Sequence, residues 1–228
     1  MNRPTRLRYE HLKNLDLLTK NQESAYKSFK DGNHLILSGS AGTGKTYLAA
    51  HFGMQLALDK DEPQNKVVIV RSALPTRDMG YLPGTKEEKE AAYTDPYINL
   101  FTELFQDKEA WNKLIQLGNL EFLTTSFIRG LTINDAVVIV DEAQNCTMHE
   151  LSSVITRLGE NCRFILCGDY YQSDLIKQND KDGLYAFINI LNNMKHFDHI
   201  EFTWEDIVRS GLVRDFIMTK ELIEQGKL

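Results

Sequence analysis

Cysteine is scarce in this 228-residue chain, with three residues in all. Cys146, Cys162 and Cys167 show no Cys-x-x-Cys spacing, and the last two flank or lie in an apolar strand. Buried thiols are the plain reading, and zinc binding, disulfides and thiol catalysis are disfavoured. No apolar run approaches the ~18 residues of a membrane span. The polar, Arg-bearing stretch from Met1 to Arg8 lacks the apolar core of a signal peptide, so a cytoplasmic protein with no membrane partner is expected. Repeats and low-complexity tracts are absent. Basic residues are outnumbered, 26 against 32 acidic ones, for a net charge of −6. That argues against a globally basic nucleic-acid coat. A local basic groove stays open, because it needs only a few well-placed cations. The length favours one domain over residues 1–228, with a large α/β core and no room for a second of full size.

What the chain does have is Gly39-Ser40-Ala41-Gly42-Thr43-Gly44-Lys45-Thr46. Glycine, four residues, Gly-Lys and then Ser or Thr is the phosphate-cradling P-loop pattern. An apolar run (Leu35-Ile36-Leu37) precedes it and an amphipathic stretch (Tyr47, Leu48, Phe52, Leu56) follows. Strand, loop and helix in that order turn a pattern match into a physical site. Glycines let successive N–H groups turn inward towards phosphate oxygens, and the helix N-terminus adds a favourable dipole. Lys45 is placed to reach the β- and γ-phosphates, and the Thr46 hydroxyl to ligate Mg²⁺. A ligand-free glycine-rich turn is the bland alternative; the context favours binding of a nucleoside triphosphate, with Tyr47 opening the helix beside it.

Strands are expected at His34–Ser38, Val67–Val70, Leu120–Leu123, Ala136–Val140, Phe164–Cys167 and His199–Phe202. Helices are expected at Asn21–Phe29, with Asn21 as N-cap, and at Tyr47–Leu58, Tyr97–Phe105, Trp111–Leu117, Met148–Leu158, Leu184–Asn192 and Leu212–Glu224. Short continuous apolar strands alternating with helices predict a mostly parallel sheet covered on both faces. The stretch from Ser72 to Asp95 is the least regular, and a loop of that length is uncommon unless it serves a function. Its charge run, Lys86 to Glu90, reads as a solvated helix start or loop face.

Two further strand ends carry chemistry. Val137-Val138-Ile139-Val140 runs into Asp141-Glu142. A buried strand that sets a carboxylate beside a P-loop can hold Mg²⁺, which is the role expected of Asp141. Glu142 is placed to orient or deprotonate the attacking water. An ordinary acidic strand end is the alternative. Phe164-Ile165-Leu166-Cys167 ends in Gly168-Asp169-Tyr170-Tyr171-Gln172. There Gln172 could contact the γ-phosphate or the water and sense hydrolysis, and Asp169 could support the metal or anchor the loop. Alone, Gly-Asp is also a common turn.

Taken together these motifs resemble the PhoH family, P-loop ATPases whose RecA-like core is similar to the first motor domain of superfamily-one helicases. Arg71-Ser72-Ala73 with Met79-Gly80-Tyr81-Leu82-Pro83-Gly84 resembles the family's R-P-A…G-F-L-P-G segment. Phe127-Ile128-Arg129-Gly130-Leu131-Thr132 resembles its Y-x-R-G-R-T, and Asp206-Ile207-Val208-Arg209-Ser210 its D-V-V-R-H. The order holds from Thr19 to about Met218. Ser72 departs from the usual Pro, Leu131 from Arg and Ser210 from His. The resemblance implies that Gln22, just before the first core helix, reads the adenine edge, for which an amide has both a donor and an acceptor. A surface glutamine is the alternative.

Hydrolysis at a useful rate wants an arginine on the γ-phosphate, worth roughly 10³–10⁵ in rate. With no second P-loop-like domain present, Arg209 and Arg214 are the candidates, offered in trans to a neighbouring copy in a head-to-tail ring. The resemblance points to a hexamer. Surface ion pairs are the alternative for both. Arg71 and Arg129, with Tyr81 and Phe127 nearby, are candidate contacts to single-stranded RNA or DNA, since stacking on aromatics tolerates any sequence. The expected function is a Mg²⁺-dependent ATPase coupled to nucleic-acid binding, translocation or unwinding. Its rivals are a small-molecule kinase, which would want an acceptor pocket, and an ATP-gated assembly module.

Overall fold

The structure is a computed structural model that describes residues 6–72, 86–169, 178–224 and 226–228. Six strands form one sheet: β1 (His34–Gly39), β2 (Lys66–Arg71), β3 (Leu120–Thr124), β4 (Ala136–Val140), β5 (Arg163–Gly168) and β6 (Phe197–Phe202). Their order is β3-β2-β4-β5-β1-β6, and every pairing is parallel. Helix α1 (Lys20–Lys30) precedes β1, α2 (Lys45–Leu58), α3 (Lys86–Phe105), α4 (Ala110–Gln116), α5 (Met148–Ile155) and α6 (Gln178–Asn192) run between the strands, and α7 (Gly211–Glu224) follows β6. The sheet has the RecA-like P-loop arrangement that the alternation of apolar strands and helices predicts.

Side chains alternate along a strand, so each strand feeds two cores. On one face Leu35 and Leu37 of β1, Val67 and Ile69 of β2 and Val137 and Ile139 of β4 meet α1 to α4, through residues such as Phe29, Phe52, Phe101 and Trp111. On the other, Ile36, Val68, Val138 and Leu166 meet α5 and α6 through Leu151, Val154, Phe187 and Leu191. Burial on both faces explains why β4 (Ala-Val-Val-Ile-Val) is apolar throughout. Its two neighbours, β2 and β5, bring Val70 and Leu166 level with Val140, so the ends of three strands share one rim.

Three local expectations change. The N-cap of α1 is Thr19, whose hydroxyl accepts the Gln22 N–H; Asn21 lies inside the helix and its amide reaches Asp206 and the Glu201 carbonyl. Thr19 has the extended backbone that a cap needs. Part of the irregular stretch is helical, because α3 begins at Lys86, within the charge run, and continues through Pro96. Helix α5 stops at Ile155, three residues early, and residues 158 and 133 form an isolated bridge instead. The Met79–Gly84 motif and Tyr81 fall outside the described residues. No described helix is long and apolar enough to cross a membrane.

Helix α2 lies close against the sheet at Gly53, where an added Cβ would stand 2.9 Å from a Val67 methyl. Gly53→Val should therefore destabilise the fold by about 1–3 kcal/mol through overfilling. A denaturant titration checks this; unchanged stability would mean that α2 can shift freely on the sheet.

Candidate active site

The P-loop leaves β1 at a position that only glycine can fill. Gly39 has φ of 110°, and a Cβ there would lie 1.9 Å from the Phe202 carbonyl oxygen of β6. The next residue, Ser40, donates its N–H to that same carbonyl at 3.2 Å. The loop closes at Gly44, the left-handed residue that precedes α2. The Lys45 ammonium folds back over the loop and donates to the Gly39 and Ser40 carbonyls at 2.9 and 2.7 Å. Burial lowers its pKa, and the charge of Asp169 acts most strongly the other way.

Across the rim stands Asp141. Its Oδ1 accepts the Thr46 hydroxyl at 2.8 Å, and its Oδ2 accepts the Tyr97 hydroxyl at 2.7 Å. Tyr97, from α3, is buried against Trp111 and Phe122. Burial and the Asp141 charge push its phenol well up, so it stays a donor. Nothing in its sequence context distinguishes it from a core aromatic, and so sequence reasoning gave it no part in the site. The Arg71 guanidinium lies 5.9 Å from the centre of the Tyr97 ring and is held charged by Tyr97, Asp141 and Glu142 against its burial. Its charge is thus engaged at the acidic pair. Beside it Ser72, at the position where proline is usual, is buried and donates to Glu150.

Glu142 has left-handed backbone (φ 51°, ψ 44°). Such a conformation is uncommon for a non-glycine residue, and among the described residues Glu142 shares it with Gln106, Asp135, Asn161 and His196. Burial, then the neighbouring Asp141 charge, raises its pKa above the ordinary glutamate value. Gln144 donates its amide to Glu142 and accepts the Asp169 N–H at 3.0 Å, bridging the ends of β4 and β5. Gln144 has no distinguishing signal in the sequence; the strand order, which sets β4 beside β5, shows why it is there.

The far end is built around Gln22. Its Oε1 accepts the Leu18 N–H at 2.8 Å and its amide donates to the Thr43 carbonyl at 3.2 Å. Asn21 donates to Asp206 at 2.7 Å, and the Val208 N–H donates to the Gly42 carbonyl at 3.1 Å. This second bond lays the segment after β6 along the P-loop. Arg209, read from sequence as an arginine for a neighbouring copy, lies beside the P-loop of its own chain, its Cγ 3.0 Å from where a Cβ on Gly42 would stand.

Two clefts open here. One of about 440 Å³ is lined by Ala41–Tyr47, Asp141, Glu142, Gln144, Asp169 and Arg209 among others. The second, about 310 Å³, is lined by Gln22, Leu15, Leu18 and Val208, and shares Gly42, Gly44, Tyr47, Glu103 and Arg209 with the first. The fold thus gathers Gln22, Lys45, Thr46, Tyr47, Asp141, Glu142 and Arg209. It leaves Arg214 exposed on α7 and Arg129 exposed after β3, both outside the clefts. Gln172 falls outside the described residues. Thr46 and Asp141 offer hard oxygen donors 2.8 Å apart, which fit Mg²⁺, an ion that takes one or two protein ligands together with phosphates. Among the described residues no group of three or more His, Cys, Asp or Glu could hold a metal alone.

The family model described as PhoH-like protein matches residues 14–221. A PhoH-like protein of Mycobacterium tuberculosis is 33% identical over 201 residues, covering 87% of this chain and 56% of its own length. One from Bacillus subtilis is 32% identical over 209 residues, covering 90% and 63%. The chain therefore spans less than two thirds of these relatives. Among solved structures, Bacteroides Pif1 bound to ssDNA aligns at 12% identity and a TM-score of 0.47, over 94% of this chain and 47% of that one.

Tyr97→Phe removes one of the two hydroxyls that Asp141 accepts. A loss of about 1–3 kcal/mol is expected in a thermal or denaturant melt, the cost of under-satisfying a buried charged acceptor. An unchanged melt would mean that Asp141 is satisfied without α3.

Proposed function

The chain belongs to the PhoH-like family, and on that premise we propose that it is a single-domain, Mg²⁺-dependent ATPase that hydrolyses ATP to ADP and phosphate. One observation carries the reading: Lys45, the Thr46–Asp141 pair and Glu142 line one cleft, though they come from separate parts of the chain. The P-loop N–H groups and the α2 N-terminus bind phosphate oxygens. The Lys45 ammonium, which now donates to the Gly39 and Ser40 carbonyls and the Thr43 hydroxyl oxygen, exchanges these for phosphate oxygens. Thr46 and Asp141 hold Mg²⁺, which neutralises charge on the phosphates when bound. Glu142 accepts a proton from the attacking water, and Gln144 fixes the carboxylate that does so. Gln172 is the proposed sensor of the γ-phosphate. The Leu18–Gln22 end takes the base.

Arg209, against its own P-loop, supports charge stabilisation within the chain. Arg214 is then the arginine left for a neighbouring copy in a hexameric ring, where a head-to-tail contact would bring it to the next site. For coupling to single-stranded RNA or DNA, the supporting feature is the loop after β3, where Phe127 is 61% exposed and Arg129 lies two residues on. Arg71, the other candidate, contributes at the acidic pair. A second reading, an ATP-gated assembly module, is favoured by α7, which presents Leu212 and Phe216 to the exterior.

Phosphate release from Mg²⁺-ATP, with and without single-stranded RNA or DNA, separates these. Glu142→Gln should lower turnover by roughly 10²–10⁴ while leaving nucleotide binding in place. Stimulation by nucleic acid supports the motor; Glu142-dependent turnover that ignores nucleic acid supports the assembly module. Turnover that survives Glu142→Gln would remove Glu142 as the base. Because the base must be ionised and burial raises its pKa, activity should fall on acidification at a higher pH than an ordinary glutamate would set. An acidic limb at or below the ordinary glutamate value would contradict that.

A further inference from the structure

Helix α7 is anchored by an acid that the reaction does not use. Glu221 is the one residue of α7 that is buried, at 2% exposure, whereas Leu212, Phe216 and Ile223 of the same helix face outwards. Its Oε2 accepts two donors: the Ser40 hydroxyl of the P-loop at 3.0 Å, and the Trp204 indole N–H from the turn after β6. Its Oε1 is buried with no hydrogen-bond partner among the described residues. A buried carboxylate so sparsely satisfied is costly, and its donors are correspondingly hard to replace. Ser40 is no neutral partner. Its carbonyl is the shorter of the two that hold the Lys45 ammonium, and it also accepts the Thr43 hydroxyl at 3.0 Å. A side chain that fixes Ser40 therefore fixes the acceptors from which Lys45 reaches phosphate.

We propose that Glu221 is a positioning residue for nucleotide binding: it pins Ser40 and thereby ties the affinity of the P-loop to the seating of α7. The inference rests on the P-loop reading above. Two observations favour a coupling role over simple support of Trp204. Ser40 supplies one of the two hydrogen bonds, and Ile217, one turn before Glu221, has its Cδ1 3.3 Å from the place of a Gly42 Cβ. Helix α7 thus meets the loop at two points. Linkage is reciprocal, so a loop that senses α7 must also be sensed by it.

The test is equilibrium binding of a fluorescent ATP analogue with Mg²⁺ to wild type, Glu221→Ala, Ser40→Ala, the double variant and Trp204→Phe. Each melt is recorded alongside, and amide hydrogen exchange is followed over α7. Glu221→Ala and Ser40→Ala should each weaken binding about ten-fold, the worth of a hydrogen bond to a charged group. The double variant should be no worse than either single one. Trp204→Phe, which keeps the Ser40 bond, should change affinity far less. The analogue should slow exchange in α7 of the wild type and not of Ser40→Ala. Ser40→Ala also keeps the test decisive should Glu221→Ala fail to fold. Equal losses in Glu221→Ala and Trp204→Phe with Ser40→Ala silent would overturn the proposal, as would additive losses or unchanged affinity. Absence of binding by the wild type would instead refute the nucleotide site itself.

Discussion

The Asp141 carboxylate, with one oxygen on Thr46 and the other on Tyr97, is the interaction on which the site depends. A buried carboxylate must be matched with donors, because leaving it short costs more than the bonds return in water. Here the donors come from α2 and α3, while Asp141 itself ends β4. One carboxylate thus fastens the P-loop helix, the end of β4 and a second helix packed on the same face of the sheet. The same Thr46 hydroxyl is the one expected on Mg²⁺, so the structural bond and the catalytic ligand share their atoms.

Around this point the fold makes deliberate use of strain. Glu142 is held in left-handed backbone, and Gly39 meets the Phe202 carbonyl too closely for any side chain. Glu142 is tolerated because it follows β4, which is buried on both faces and cannot slip: a one-residue shift in register would exchange the two cores. Gln144, joined to Glu142 on one side and to the Asp169 N–H on the other, ties the Glu142 carboxylate to that rigid frame.

Much of this was legible in the sequence. The six described strands and seven described helices overlap the segments that apolar runs and helical periodicity mark out, though α3 and α6 begin earlier, at Lys86 and Gln178, and α5 ends earlier, at Ile155; β1, β2, β4 and β5 were the plainest because they are buried nearly throughout. The P-loop and the acidic strand end could be read because their chemistry needs fixed residue types at fixed spacing. Tyr97 was not legible: a buried tyrosine in a helix looks alike whether or not its hydroxyl meets a carboxylate 44 residues away. Nor was Glu221, an acid in an exposed helix until the fold sets it beside Ser40. Arg209 was read as an arginine offered to a neighbouring copy; spacing along the chain could not show that the segment after β6 lies along its own P-loop through the Val208 N–H. Asn21 was misread as a cap because Thr19, two residues earlier, competes for that role with the better backbone.

The most direct test titrates Mg²⁺ into nucleotide-binding measurements on wild type and Asp141→Asn. If Thr46 and Asp141 together hold the metal, Mg²⁺ should strengthen ATP binding to the wild type, and the variant should lose that dependence while keeping its metal-free affinity. Equal Mg²⁺ dependence in both proteins would show that Asp141 serves only to tie the helices to the sheet.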